Sequence, residues 1–171
     1  MKRLMMLIFW LLIFAMPFSQ LCDAARNGDV AQIKALTAKG ADPNEPSGGY
    51  DWTPLMHAVH KNQIASVAAL LDAKANPNLA AASTGRTPLM MAAGYGQTAI
   101  VQLLLRRGAN PKLTDKNGES ALDYALTGTN DIDDFTLFRC QDETARVLAA
   151  AGAKAKASSI RFAKLKRCVT P

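Results

Sequence analysis

The sequence predicts an all-α solenoid of about four helix-turn-helix units, with atypical capping repeats at the two ends. Nearly the same twelve letters occur twice, as DWTPLMHAVHKN at 51–62 and as GRTPLMMAAGYG at 85–96. The turn segments GADPN, KANPN and GANPK begin at positions 40, 74 and 108, so they also recur every 34 residues. A period of this length indicates a stacked array. The composition, 49% apolar and only 6% aromatic, is typical of closely packed small helices.

Each unit is predicted to contain two short helices. The Thr-Pro pairs at 53–54 and 87–88 open the first helix, because threonine caps a helix start and proline suits the first helical position. We expect this helix to end at Asn62 or Gly96, the residue types that best tolerate the left-handed backbone of a helix end. The second helix carries an apolar stripe at helical spacing, formed by Val67, Leu70 and Leu71 in one copy and by Ile100, Val101, Leu104 and Leu105 in the next.

The repeated motifs resemble the ankyrin repeat. The segments TPLM-x-A and V-x-x-LL-x-x-GA-N-P are similar to its T-P-L-H-x-A signature and its period of about 33 residues. The position of the signature histidine holds Met56, Met90 and Asp123 in the second, third and fourth units. The first unit lacks Thr-Pro and the fourth opens with Ser120, as expected for terminal units that face water on one side. The resemblance implies an ankyrin-repeat solenoid over about four units.

The residue that ends the second helix marks the boundary between neighbouring units of the repeat domain. Glycine is predicted to end that helix at positions 40, 108 and 152, whereas Lys74 departs from the pattern. The predicted units of the domain 19–154 are 19–44, 45–78, 79–112 and 113–154. The last unit contains an insertion near 127–143, with Asp131, Asp133 and Asp134 followed by Phe135, Leu137 and Phe138. Its carboxylates either bind a cation or form a solvated turn, and its apolar trio either covers the end of the stack or meets a partner.

Residues 1–18 are predicted to be a secretory signal peptide. Two cations precede an apolar run of thirteen residues, from Leu4 to Met16. This run is short for a membrane-spanning helix of about 20 residues, and its charged start is typical of a leader. An uncleaved anchor is the alternative. We therefore expect an exported protein, in the periplasm of a Gram-negative bacterium, with secretion or anchoring to the inner membrane as alternatives.

Export changes the interpretation of the three cysteines. In an oxidising compartment Cys140 and Cys168 either form a disulfide, which would contribute roughly 3–4 kcal/mol, or remain thiols. Cys22 is then either buried in the first helix or lost with the leader. The sequence contains no C-x-x-C pair, so neither a redox site nor a structural zinc site has support.

The formal net charge of +6 is concentrated in the basic tail, residues 155–171, and the residues just before it. The last eighteen residues hold six cations and no acid, whereas twelve basic and fourteen acidic side chains lie between the leader and this stretch. The tail is solvated, lies on an anionic membrane surface, or packs across the last unit. Nucleic-acid binding would require a basic body, and the prediction of export argues against it.

The sequence offers little support for an enzyme or for a cofactor. Catalysis needs an acid, base, nucleophile or metal held in a pocket, and no nucleophile elbow, P-loop or dinucleotide fingerprint is present. His57 and His60 are the two histidines, three positions apart, with no further ligand at metal spacing. A small metal-binding or antioxidant protein that uses these histidines, the methionines or the cysteines is a rival hypothesis, but a half-buried packing role for His57 and an exposed position for His60 are favoured.

The resemblance implies a non-catalytic module that binds one or more proteins. Partners are expected to bind at the turns between units, called fingertips, and on the concave surface formed by the ends of the first helices. The chain is expected to be a monomer. Tryptophan, tyrosine and arginine are the residue types enriched at binding hot spots. The alternative for Trp52 is that its side chain folds back over Met56. A membrane-anchored scaffold and a secreted effector that binds a host protein are alternative functions. The implied contact residues are Tyr50, Trp52, His60, Lys61, Thr84, Arg86, Tyr95, Lys116, Asn117 and Glu119, with Arg26 and Asn27 beside them.

Overall fold

The computed structural model describes residues 17–47, 51–128 and 141–165. These residues confirm the predicted all-α repeat fold, and their only bridges of β type are isolated, Ser47 with Trp52 and Thr114 with Ser120. None of the helices within the described ranges has the length and apolar character needed to cross a membrane. The helices are α1 (Pro17–Asn27), α2 (Val30–Ala38), α3 (Pro54–His60), α4 (Ile64–Asp72), α5 (Pro88–Gly94), α6 (Thr98–Arg106), α7 (Ala121–Thr127), α8 (Asp142–Ala150) and α9 (Ala157–Leu165).

The helices stack in two rows. In the first-helix row, α1 packs against α3, α3 against α5 and α5 against α7. In the second-helix row, α2 packs against α4, α4 against α6 and α6 against α8. Each unit contributes one helix to each row, so neighbouring units bury one continuous core between them.

The predicted local signals set the helix bounds. The hydroxyl oxygen of Thr53 accepts a hydrogen bond from the amide of Met56 at 3.3 Å, and that of Thr87 accepts one from the amide of Met90 at 3.4 Å. Beyond the first helices, Asn62 adopts a left-handed φ of 55°. Lys74 also has a left-handed φ, 71°, at the position where the other units have glycine.

The core lies between the two rows. Leu55 and Leu89 of the first-helix row are 1% exposed, and Leu70 and Leu104 of the second-helix row are 0% exposed. The predicted apolar stripe of the second helix is therefore confirmed, except that Leu105 is only half-buried. Small residues of the first-helix row are also fully buried and let neighbouring helices approach closely; they include Ala58, Ala92, Ala93 and Ala125.

A glutamine at the start of the second helix reaches back to the preceding unit. Gln97 donates from Nε2 to the backbone oxygen of Val59, at 2.9 Å. The side chains of Gln63 and Gln141 occupy the space where a Cβ atom would stand at Gly28 and Gly96, respectively. Glycine at these two turns is thus required by a close approach as well as by a left-handed backbone.

The described part of the basic tail is α9, which packs against α7. Ala163 is 0% exposed and Ser159 is 5% exposed, whereas Ile160 lies at the surface. For residues 157–165, the structure therefore agrees with the alternative in which the tail packs across the last unit. Because α9 follows α8 after a short link, it extends the first-helix row without a fingertip of its own.

Several predictions fall outside the described residues. These include residues 1–16 of the predicted leader, Tyr50, most of the insertion, and both cysteines of the possible disulfide, Cys140 and Cys168. Helix α1 begins at Pro17, two residues before the predicted start of the first unit. Cys22 is 1% exposed within α1, and burial raises the pKa of its thiol.

Candidate functional site

Three turns between units form the fingertip loops: the first includes Ser47 and Trp52, with residues 48–50 outside the described ranges, the second spans 81–86 and the third 114–120. The first loop closes through a hydrogen bond from the amide of Ser47 to the carbonyl oxygen of Trp52, at 3.0 Å. The second closes from the amide of Ala81 to the oxygen of Arg86, at 2.9 Å. The third closes between Asp115 and Glu119, also at 2.9 Å. The loops therefore hold several of the predicted contact residues in defined positions.

Trp52, His60 and Tyr95 form a continuous row of rings, the ring strip, across the second and third units. The ring centroids of Trp52 and His60 are 5.2 Å apart, and those of His60 and Tyr95 are 5.7 Å apart. The Nδ1 atom of His60 lies 3.0 Å from the hydroxyl oxygen of Tyr95. All three side chains are half-buried, so His60 is less exposed than the sequence predicted. The strip thus combines an accessible apolar surface with side chains already held in place.

His57 lies beneath the ring strip and connects three elements. Arg26 of α1 approaches its Nδ1 atom with Nη2 at 3.4 Å, and its Nε2 atom is 3.3 Å from the carbonyl oxygen of Ser47. Because Arg26 can only donate and a carbonyl can only accept, these contacts fit a neutral imidazole protonated on Nε2. Its ring also meets Trp52 edge-on, with centroids 5.6 Å apart.

The environment of His57 favours this neutral form. Burial lowers the pKa of the imidazole below its ordinary value, and the positive charges of Arg26 and His60 act in the same direction. The carbonyl of Ser47 and the carboxylate of Asp23 oppose this effect. The residue is 4% exposed and is more deeply buried than the half-buried packing role expected for it.

Arg86 belongs to a second network, away from the ring strip. Its Nε atom donates to the hydroxyl oxygen of Tyr124 at 2.7 Å, and its guanidinium carbon lies 5.0 Å from the centroid of that ring. The Tyr124 hydroxyl in turn donates to Asp115, at 2.9 Å. Burial raises the pKa of Tyr124, Asp115 acts the same way, and Arg86 opposes both. The half-buried Arg86 therefore braces the second and third fingertip loops against α7.

The second and third fingertip loops are also joined through their backbones. The amide of Lys116 donates to the carbonyl oxygen of Thr84, at 3.1 Å. The Nζ atom of Lys156 donates to the oxygen of Asn117, at 2.6 Å, and so links the third loop to the chain just before α9. Thr84, Lys116 and Asn117 are exposed, and Glu119 is half-buried. The backbone of these loops is thus held by hydrogen bonds, while several of their side chains remain exposed.

Asp123, at the position of the signature histidine in the fourth unit, fixes the end of the array. Its Oδ2 atom accepts from the amide of Ser120 at 2.8 Å, and its Oδ1 atom accepts from the amide of Lys156 at 2.7 Å. Burial acts to raise the pKa of this carboxyl, but hydrogen bonds from Ser159, Ser120 and Lys156 outweigh it and leave the pKa below its ordinary value. The carboxylate therefore holds α9 in place.

No group of three or more His, Cys, Asp or Glu side chains within the described residues is arranged to hold a metal ion. Both ring nitrogens of His57 already face protein partners, Arg26 and Ser47. An open depression of about 600 Å³ lies between α2 and α4 and is lined mostly by small residues such as Ala38, Ala69 and Ala73.

Comparison with known families agrees with this architecture. The family model described as ankyrin repeats (3 copies) matches residues 21–115 and 67–158. The chain belongs to the ankyrin-repeat family. Ankyrin repeats generally mediate protein–protein interaction, and ankyrin-repeat proteins are typically non-enzymatic binding modules. No curated protein matches the sequence.

The ankyrin array brings together only some of the predicted contact residues. Trp52, His60 and Tyr95 meet in the ring strip, and the exposed Lys61 follows His60 at the end of α3. The ring of Trp52 packs against the rings of His57 and His60 on its own first helix. Sequence analysis did not foresee the roles of Asp115, Tyr124 or Asp123. The segment DKNG gave a usable signal for Asp115, since aspartate before such a turn accepts from later backbone amides.

Proposed function

We propose that this ankyrin-repeat protein is a non-catalytic binding module of the cell envelope, which holds a partner protein across the ring strip and the fingertip loops. The observation that carries the proposal is the ring strip itself. Tryptophan and tyrosine are enriched at binding hot spots, and here both are half-buried and held through His60. A surface that is already ordered loses little conformational entropy on binding. The proposed envelope location rests on the apolar segment with its charged start at the N-terminus.

A pull-down from the exported fraction tests the proposal. The bait is the full chain, compared with the double variant Trp52→Ala/Tyr95→Ala. We leave Arg86 unchanged because its contact with Tyr124 stabilises the array. The matched control is Lys34→Ala/Ile64→Ala, which removes two exposed side chains from the second-helix row. We expect one protein to be retained by the wild type and the control and lost by the ring variant. Equal retention by all three baits would contradict the proposal.

A further inference from the structure

We propose that His57 is an acid-sensitive latch, whose protonation releases the first fingertip loop and so rearranges the ring strip. This inference concerns the regulation of the same surface and rests on the proposed function. The latch joins α1, α3 and the first fingertip loop at a single side chain. Its contacts are those of Arg26 with Nδ1 and of Ser47 with Nε2.

The arrangement accepts only the neutral imidazole. A proton added to Nδ1 would place an N–H donor opposite the Nη2 donor of Arg26, which is 3.4 Å away. The hydrogen bond would become a repulsive contact between two donors and two positive charges. Since His57 is only 4% exposed, water cannot readily take the place of the lost partner. Protonation therefore favours a rearrangement in which Arg26 and the imidazole separate.

The charged groups around His57 come from each element packed against it. Helix α1 supplies Arg26 and Asp23, which pair with each other at 3.8 Å, and the adjacent turn of α3 supplies His60. Asp23 alone among these favours the imidazolium, and its carboxylate is exposed and shared with Arg26. From the first fingertip loop, the contact is the uncharged carbonyl of Ser47. Burial is the largest cause of the lowered pKa of His57; Arg26 and His60 add to it, whereas the Ser47 carbonyl and Asp23 act against it.

Protonation at this position would reach the proposed binding surface directly. The carbonyl that His57 holds belongs to Ser47, whose amide closes the first fingertip loop onto Trp52. Trp52 also touches the rings of His57 and His60, at centroid distances of 5.6 and 5.2 Å. Movement of the imidazole thus displaces Trp52 at one end of the ring strip, while the network of Arg86 and Tyr124 keeps the later loops in place.

NMR titration of the full chain tests the latch without any partner. The sequence contains only two histidines, His57 and His60, so two imidazole resonances can be followed and assigned with His60→Gln. We expect His57 to titrate below the unperturbed pKa of about 6.5. The amides of Arg26, Ser47 and Trp52 should shift with the same midpoint. A midpoint at or above the unperturbed value, or no shift of these amides, overturns the proposal.

The variant His57→Gln provides a second readout, because its amide can accept from Arg26 and donate to Ser47 but does not titrate. In this variant the amides of Arg26 and Ser47 should no longer shift in that pH range; a persisting shift overturns the latch. The pull-down at pH 7.5 and at a pH below the midpoint measured by NMR should show loss of the retained protein at the lower pH for the wild type only. A partner retained equally at both pH values overturns the latch but leaves the proposed function intact.

Discussion

The Nε atom of Arg86 lies 2.7 Å from the hydroxyl oxygen of Tyr124, although the two residues are 38 positions apart in the sequence. The same hydroxyl donates to Asp115, so one phenol joins the second and third fingertip loops. The arrangement makes Arg86 a residue that stabilises the array, whatever part it also has in binding.

Arg86→Ala should therefore destabilise the protein. The substitution leaves a buried hydroxyl with one hydrogen bond fewer, which costs about 1–3 kcal/mol in the free energy of unfolding. Urea denaturation followed by circular dichroism measures this loss. Lys116→Ala, a change of an exposed cation in the neighbouring loop, is the control and should stay within about 0.5 kcal/mol. Equal effects of the two substitutions would show that the contact contributes nothing to stability.

Asp123→Ala should release α9 from the array. Without the carboxylate, the buried amide of Ser120 and the partly buried amide of Lys156 lose their acceptor, at a cost of roughly 1–3 kcal/mol in the free energy of unfolding. Hydrogen exchange should show faster exchange in α9 than in α3. Ser158→Ala, at an exposed position of α9, should leave both measurements unchanged. Unaltered protection of α9 in Asp123→Ala would argue against the anchor.

Stability should fall with pH in two separate windows. Both His57 and Asp123 have pKa values below those of the unfolded chain, so each contributes stability above its unfolded pKa and loses it as pH falls through its folded pKa. The first window opens below about pH 6.5 and the second below about pH 3.9. Urea unfolding at a series of pH values measures both slopes. His57→Gln should remove only the first, and Asp123→Asn only the second; an unchanged profile in either variant refutes its assignment.

Lys74→Gly should stabilise the protein. Lys74 holds a left-handed φ of 71°, and at the equivalent glycines, Gly40 and Gly108, a Cβ atom would have open space around it. Removing the Cβ relieves the backbone cost, and after the larger entropy of unfolded glycine we expect a net gain of about 0.5–1 kcal/mol. The thermal midpoint measures it. Lys39→Gly, where φ is −84°, should give no gain.

Leu104→Ala tests the register of the second-helix row. Leu104 is 0% exposed, so its truncation should leave a cavity and cost roughly 2–5 kcal/mol in the free energy of unfolding. Gln102→Ala, an exposed neighbour on the same helix, should change stability by less than about 0.5 kcal/mol. Urea denaturation of the two variants side by side provides the comparison. A small effect for Leu104→Ala would place the core elsewhere.

The repeat fold was predictable from the sequence because residues within each unit mark where its helices begin and end. Thr53 and Thr87 cap the helices that they were expected to cap, and Asn62 has the left-handed backbone expected of it. The docking of α9 was only one of three alternatives for the tail. It depends on the contact of Asp123 with the amide of Lys156, a pair 33 residues apart that no periodic pattern encodes.

The candidate site was predictable in part for the same reason. The repeat predicts that the ends of the first helices of neighbouring units lie side by side, and this brings His60 of the second unit next to Tyr95 of the third. Whether a side chain projects or turns inward depends on its neighbours, and those come from other units. Arg86 turns towards Tyr124, and His57 is held by Arg26 and Ser47. Such contacts between units are visible only in three dimensions.

The glutamine at the start of α8 has a consequence for the two ends of the insertion. Gln141 bonds through its amide to Ala125 at 2.8 Å and fills the space beside Gly96, so the chain resumes the regular stacking there. On the other side, the amide of Gly128 is bonded to Tyr124, also at 2.8 Å. The array itself therefore fixes both Gly128 and Gln141, and with them the distance that the residues between them must span.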